Sequence, residues 1–242
     1  MAASGLAHPL LLSTVFHMDQ ITVAGMTIET KYVFFTWLGM LILLITGLVL
    51  RKKLSIVPAG KFQIFFEALV DGLEKFVLNN LGEEKGRRFV PLLASIFIYV
   101  LTMNLLGLVP GCDAPTANLN TTISIALCVF IYYNYVGIRT WGFGYIHHFT
   151  GSSKPLIPLM FPIEIISHLA RPLSMSLRLF GNIFAEEMTL IIFFGFGASI
   201  YVGVLLGTVP MYFLFLLGKV LQAFILFILS MIYIQGSVEH AH

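Results

Sequence analysis

Apolar residues in this chain come in long blocks, and the blocks are long enough to measure against a bilayer. Residues 32–50 form the first, about the twenty that a hydrocarbon core about 30 Å thick requires, and Arg51-Lys52-Lys53 ends it. Residues 59–78 read differently: Phe62, Phe65, Phe66, Leu69, Leu73 and Phe76 alternate with Lys61, Glu67, Asp71, Glu74 and Lys75. That spacing predicts an amphipathic helix with too many charges to span, lying along the membrane surface. Residues 89–109 and 122–138 are the second and third spans, with Pro110-Gly111 after the second.

The last third breaks this rhythm. Residues 163–194 are one apolar stretch interrupted by Glu164, His168, Arg171, Arg178, Glu186 and Glu187. As a continuous helix it would approach about 48 Å, so it must tilt steeply, bend or break, and Pro172 offers a bend point. A final long helix over residues 209–235 carries Lys219 and Gln222 in its interior. The expected fold is an all-α integral membrane protein. It has about five membrane helices, two of them long, steeply tilted and C-terminal, plus one cytoplasmic amphipathic surface helix. No internal repeat or low-complexity linker divides it, so the chain reads as a single membrane domain over 1–242. Its segments are an external N-terminus (1–30), a first span (31–50), the surface helix (59–78), a helix pair (89–138) and a tilted hairpin (158–236).

Composition agrees. The 242 residues are 58% hydrophobic and 11% charged, with mean hydropathy +0.92, outside the range of a soluble domain. The net charge of +2 forms no basic face, which argues against nucleic acid as a partner. Eight lysines and arginines lie between Arg51 and Arg88, whereas the loop after the second span carries Asp113 and no basic residue. By the positive-inside rule the surface helix is cytoplasmic, the N-terminus external and the C-terminus cytoplasmic. Cys112 and Cys128 form no disulfide framework, and the first twenty residues lack the pattern of a cleaved signal peptide. His147-His148 lacks further ligands at metal spacing, and no Gly-rich loop with a following lysine offers a phosphate site, so neither metal, cofactor nor ATP is expected.

The candidate chemistry is Arg178. A guanidinium at mid-bilayer costs from roughly 2.5–3.5 to about 10–17 kcal/mol depending on the scale, and it cannot shed its charge as a buried lysine can. At about 100° per residue, Glu164, Ser167, Arg171, Ser174, Asn182, Ala185 and Thr189 lie within roughly 40° of Arg178. His168 and Glu186 point about 80° away, and Glu187 points to the opposite side. Glu187 therefore cannot be a same-face partner for Arg178, although a neighbouring helix could reach it, and intramembrane ionisable groups default to an ion pathway. Glu164 and His168, four residues apart, offer a local pair near the cytoplasmic end, and Arg171 could simply snorkel. Ser174, Ser176 and the Gly181/Ala185 spacing suit helix packing, and Lys219 is open between a paired, a neutral and a water-exposed state.

The run Ala170-Arg-Pro-Leu-Ser-Met-Ser-Leu-Arg-Leu-Phe-Gly-Asn182, with Leu221-Gln-Ala-Phe224 and Met103-Asn-Leu-Leu-Gly-Leu-Val-Pro110, resembles subunit a of the F-type ATP synthase. The resemblance covers nearly the whole chain in order. It implies a non-catalytic, ion-translocating subunit of the F0 sector, which neither binds nor hydrolyses ATP. Its partners would be a rotor ring of c subunits, peripheral-stalk b subunits and membrane lipid, in a hetero-oligomeric complex of a bacterial inner membrane. It further implies that Arg178 faces the c-ring carboxylates between two access paths. Glu187, Asn182 and Gln222 would be polar positions near the ion path, and Glu164 and His168 would line the cytoplasmic access. Ser174, Glu186 and Lys219 join the ion-translocation candidates. Many relatives carry a histidine or acid seven residues before the glutamine, where this chain has Phe215, so the external path is built differently here. Proton is the expected ion. The alternative is a self-contained proton-coupled secondary transporter in which Arg178 binds an anionic substrate, a reading that predicts an inverted repeat.

Overall fold

The structure, a computed structural model, describes residues 20–23, 26–55, 60–109, 112–142, 144–145, 157–197 and 201–238. Among these are six α-helices: α1 (Thr30–Lys53), α2 (Lys61–Leu81), α3 (Glu83–Leu106), α4 (Leu119–Trp141), α5 (Ile157–Gly197) and α6 (Tyr201–Val238). A short 3₁₀ turn, Pro115–Ala117, precedes α4, and a small antiparallel hairpin of β1 (Gln20–Val23) and β2 (Met26–Glu29) precedes α1. Among the described residues, α1, α3, α4 and the Pro210–Val238 part of α6 are each long and apolar enough to cross a membrane. The protein is a multi-pass, helical membrane protein.

Most helix ends extend the sequence blocks by a few residues, and two of the extensions have a clear cause. Glu83 and Glu84, before the apolar block that begins at residue 89, form the first turn of α3, where carboxylates complement the positive end of the helix dipole. Gly82 makes the corner between α2 and α3 at φ 79°, a conformation that costs an L side chain energy and glycine little. At the other side of the fold Asn118 starts α4, its Oδ1 accepting from the Asn120 amide at 2.8 Å.

The long apolar stretch does not break. α5 runs unbroken through both Pro162 and Pro172, and its 41 residues correspond to about 60 Å. A proline removes one backbone donor and crowds the preceding turn, a defect that membrane helices tolerate when neighbours satisfy the freed groups. At that length α5 must tilt or bend to stay within a bilayer.

Helices α3, α4, α5 and α6 enclose the core, with Leu93, Phe97 and Val100 of α3, Val129 and Tyr133 of α4, Leu179 and Ile183 of α5, and Ala223, Phe227 and Ile234 of α6 buried together. α1 lies outside this group against α3, where Gly39 admits the Met103 side chain at a separation that a Cβ would close to 2.7 Å. The amphipathic stripe of α2 is divided. Leu73 and Val77 are buried and Phe76 stacks edge-on to Phe224 of α6, while Phe62 and Phe65 further up the same helix are exposed. Only the N-terminal half of that stripe is therefore left for lipid.

Candidate functional site

The polar side chains of the membrane helices fall into two buried clusters and one exposed stripe between them, and helical phase on α5 decides which is which. The side of α5 centred about 100° from Arg178 packs inward, burying His168, Met175, Leu179 and Ile183 and drawing in Glu186. Ser174, Arg178, Asn182 and Ala185 are exposed on the outer side. Nothing among the described residues lies within 4 Å of where a Cβ on Gly181 beside them would stand. Among the described residues no carboxylate lies within ion-pair distance of Arg178. A permanent charge is thus left facing out of the molecule.

The first cluster lies ten residues N-terminal to Arg178, about 15 Å along the axis. His168 Nε2 sits 2.8 Å from Asn134 Oδ1 on α4 and 3.3 Å from the Tyr133 hydroxyl. Asn134 Nδ2 donates to the Phe130 carbonyl at 2.8 Å, which turns its oxygen toward the imidazole and requires a hydrogen on Nε2. The Tyr145 hydroxyl donates to the same Oδ1 at 3.1 Å. Gly137 makes room for that ring, since a Cβ there would collide with Tyr145. Burial pushes the Tyr145 phenol above its ordinary range, so it stays a donor.

Glu164 and Arg171 complete this end, and here the local pair expected from the sequence is not formed. Glu164 meets Arg171 at 3.7 Å instead of His168, because 164 and 171 share a face whereas His168 turns inward. Arg171 also lies over the Tyr233 ring of α6 at 5.4 Å, which places a second helix around the same guanidinium.

The second cluster lies eight residues C-terminal to Arg178, about 12 Å along the axis. Lys219 Nζ of α6 is 3.1 Å from Glu186 Oε2, with side chains only 5% and 17% exposed. The other carboxylate oxygen lies against Gly218, where an added Cβ would come within 2.7 Å of it. One turn nearer Arg178, Asn182 Nδ2 donates to Gln222 Oε1 at 2.7 Å and ties α5 to α6. Ser176 is buried and back-bonded to the Leu173 carbonyl at 3.1 Å, which is a helix-internal role. The Glu187 side chain and His147-His148 lie outside the described residues, and Phe215 is buried.

Asn104 and Asn134 were not singled out from the sequence. Asn104 is fully buried, donating to the Lys219 carbonyl at 3.3 Å and accepting from Thr116 at 2.8 Å. A lone asparagine inside an apolar span was the available signal for each, since a buried amide without partners is costly.

Comparison with known proteins bears on the whole chain. The family model described as ATP synthase A chain matches residues 33–235. The chain is 56% identical to ATP synthase subunit a of Nitratidesulfovibrio vulgaris over 99% of this chain and all of that one, and 55% identical to that of Oleidesulfovibrio alaskensis over the same shares. The subunit a of Geobacter sulfurreducens is 43% identical over 98% of this chain and all of its own. With similarity along its full length, the chain belongs to the ATP synthase A chain family, the membrane F0 subunits called subunit a.

Proposed function

We propose that this chain carries protons across a bacterial inner membrane as the stator subunit a of a rotary ATP synthase, with Arg178 facing a ring of c subunits and separating two access paths. It takes no part in nucleotide chemistry and holds to peripheral-stalk b subunits, with its N-terminus external. One observation supports this reading above the rest: Arg178 is exposed and, among the described residues, has no carboxylate within ion-pair distance, and it lies between two buried polar clusters.

The physics follows from that exposure. A rotor carboxylate facing lipid must be protonated, because an unpaired charge in hydrocarbon is prohibitive. Opposite Arg178, at about 4 Å and an effective dielectric near 20, the ionised form gains about 4 kcal/mol, enough to move the protonation equilibrium about a thousandfold. The carboxylate releases its proton on approach and takes one up on leaving. Ser174, Gly181 and Ala185 leave room for a rotor helix to come close.

The cluster of His168, Asn134, Tyr145 and Glu164 suits the cytoplasmic path, since it joins the C-terminal end of α4 to the N-terminal half of α5. The Asn182–Gln222 link suits the external one, and Glu187 is assigned to the same path by the family resemblance. Because the fixed charge of Arg178 stands between them, a proton crosses only by riding the ring. Each proton entering down 100 mV supplies about 2.3 kcal/mol toward rotation.

Cysteine cross-linking in native membranes tests the facing. Asn182→Cys and Ser174→Cys are expected to link to a small helical-hairpin subunit present in many copies, while Ile183→Cys, which points inward, does not. Equal linking from all three positions, or none from the outer two, would reject the arrangement.

A further inference from the structure

We propose that the cavity between α1, α3 and α4 is a lipid site: it holds one acyl chain of a zwitterionic phospholipid of the outer leaflet, whose headgroup rests on the Lys31–Asp113 ion pair. The inference goes beyond the stator reading and does not depend on it. The cavity lines a face of α4 about a quarter-turn from the one packed on α5.

Shape comes first. The cavity holds about 680 Å³, within the roughly 300–1,000 Å³ of sites that enclose small ligands. Its lining recurs every three or four residues from Leu92 to Tyr99 on α3 and from Thr121 to Tyr132 on α4, so its walls are single faces of two adjacent helices. The space therefore runs along the helices, for about 10 Å on one wall and about 16 Å on the other. That is about half of a 30 Å hydrocarbon core, the depth of one leaflet, which suits an acyl chain and not a helix that crosses both. Only the first turns of α1, residues 32–37, close the third side, and 11% of the most apolar stretch of α1 is buried. A hydrocarbon chain in the slot would supply packing between α1 and α4.

The walls suit hydrocarbon because their hydroxyls turn into their own helices. Ser95 donates to the Pro91 carbonyl at 2.6 Å, Ser124 to the Asn120 carbonyl at 2.7 Å, and Thr36 to the Tyr32 carbonyl at 2.7 Å. At these positions the slot meets satisfied groups, which a hydrocarbon chain tolerates and a polar solute cannot use.

The external end is charged. Lys31 Nζ lies 3.3 Å from Asp113 and 4.6 Å over the ring of Tyr32, a lining residue, and the two charged side chains are 33% and 19% exposed. The charge distribution puts this loop outside, at headgroup depth, and Trp37 on the cavity wall is the aromatic residue typical of that interface. A pair of opposite charges complements a phosphate beside an ammonium: the phosphate meets Lys31 and the ammonium meets Asp113. A purely anionic headgroup gains at Lys31 and is repelled at Asp113.

Photolabelling of the purified complex in vesicles tests this, with phosphatidylethanolamine carrying a diazirine midway along one chain. Adducts are expected on residues 95–99 and 124–128, about fivefold or more above Leu44, an exposed α1 residue outside the cavity. Ser95→Phe/Ser124→Phe fills the slot from both walls and should remove that excess while leaving Leu44 labelled. Phosphatidylglycerol with the same diazirine should label the walls about fivefold less, and Lys31→Gln/Asp113→Asn should abolish the preference. Equal labelling of the walls and Leu44 would overturn the lipid site, and so would wall labelling that survives the filled slot. Phosphatidylglycerol labelling the walls as well as phosphatidylethanolamine does would overturn the headgroup assignment. A photoreactive amino acid in place of Cys128 that links to a helix of another subunit would show a protein occupant and overturn the proposal as well. Should the filled variant fail to assemble, the ratio of wall to Leu44 labelling in the parent decides alone. Pumping takes no part in the readout, so failure of the stator reading leaves this result standing.

Discussion

Replacing Gly218 with alanine separates helix stability from ion conduction. An alanine Cβ would stand 2.7 Å from Glu186 Oε1, and ordinary van der Waals contact begins near 3.4 Å, so the carboxylate must retreat by about 0.7 Å. If the retreat lengthens the 3.1 Å gap to Lys219 by the same amount, the attraction falls from about 5 to about 4 kcal/mol at an effective dielectric near 20. That is about 1 kcal/mol, or about fivefold in occupancy of the paired geometry. Alanine at the same time favours the helix by about 1 kcal/mol over glycine, so the two effects cancel in stability. The expected result is an unchanged melting temperature for the purified complex with ATP-driven pumping lowered about fivefold. Glu186→Asp in the Gly218→Ala background, which shortens the acid by one methylene, should recover part of the loss. Unchanged pumping by Gly218→Ala would refute the argument, and so would a loss of pumping matched by a loss of stability.

Asn134→Ala removes the acceptor shared by His168 and Tyr145, two hydrogen bonds worth about 0.5–1.5 kcal/mol each, so a loss of about 1–3 kcal/mol is expected; denaturant unfolding of the complex measures it, and a change under about 0.5 would show the network to be incidental. Cys112 lies in the loop beside Asp113, and burial, then the nearby carboxylate, hold its thiol above the ordinary pKa. A membrane-impermeant maleimide added from outside should therefore label it, slowly at pH 7 and faster as pH rises, and more readily in Asp113→Asn. Labelling only from the cytoplasmic side would invert the topology. Ser176→Ala, by contrast, should leave proton flux at the parental level, because its hydroxyl is spent on the Leu173 carbonyl.

The phase of α5 was legible in the sequence because a single helix fixes its own geometry. An angle of about 100° per residue already set His168 and Glu186 apart from Arg178, and in the structure both turn inward while Arg178 stays out. What the inward groups meet was not legible. Whether Glu186 finds Lys219, or His168 finds Asn134, depends on the register between helices far apart in sequence, and side-chain packing sets that register. The nearest local candidate misled in one case: Glu164 and His168 lie on the spacing of a helix pair, yet burial of His168 leaves Glu164 to Arg171. The division of α2 has the same origin, since its stripe is uniform in sequence and only tertiary packing decides that Leu73 and Val77 are buried while Phe62 is not. The β1–β2 hairpin was overlooked although Ile21, Val23, Met26 and Ile28 alternate around Ala24-Gly25, a weak signal next to the apolar blocks.

The central claim is that Arg178 waits for a carboxylate on another subunit, and ATP-driven proton pumping into inverted membrane vesicles tests it most directly. Arg178→Ala is expected to assemble in normal amounts, since among the described residues the guanidinium makes no ion pair or hydrogen bond, and to pump no protons at all. Coupled pumping by that variant at the parental rate would contradict the account.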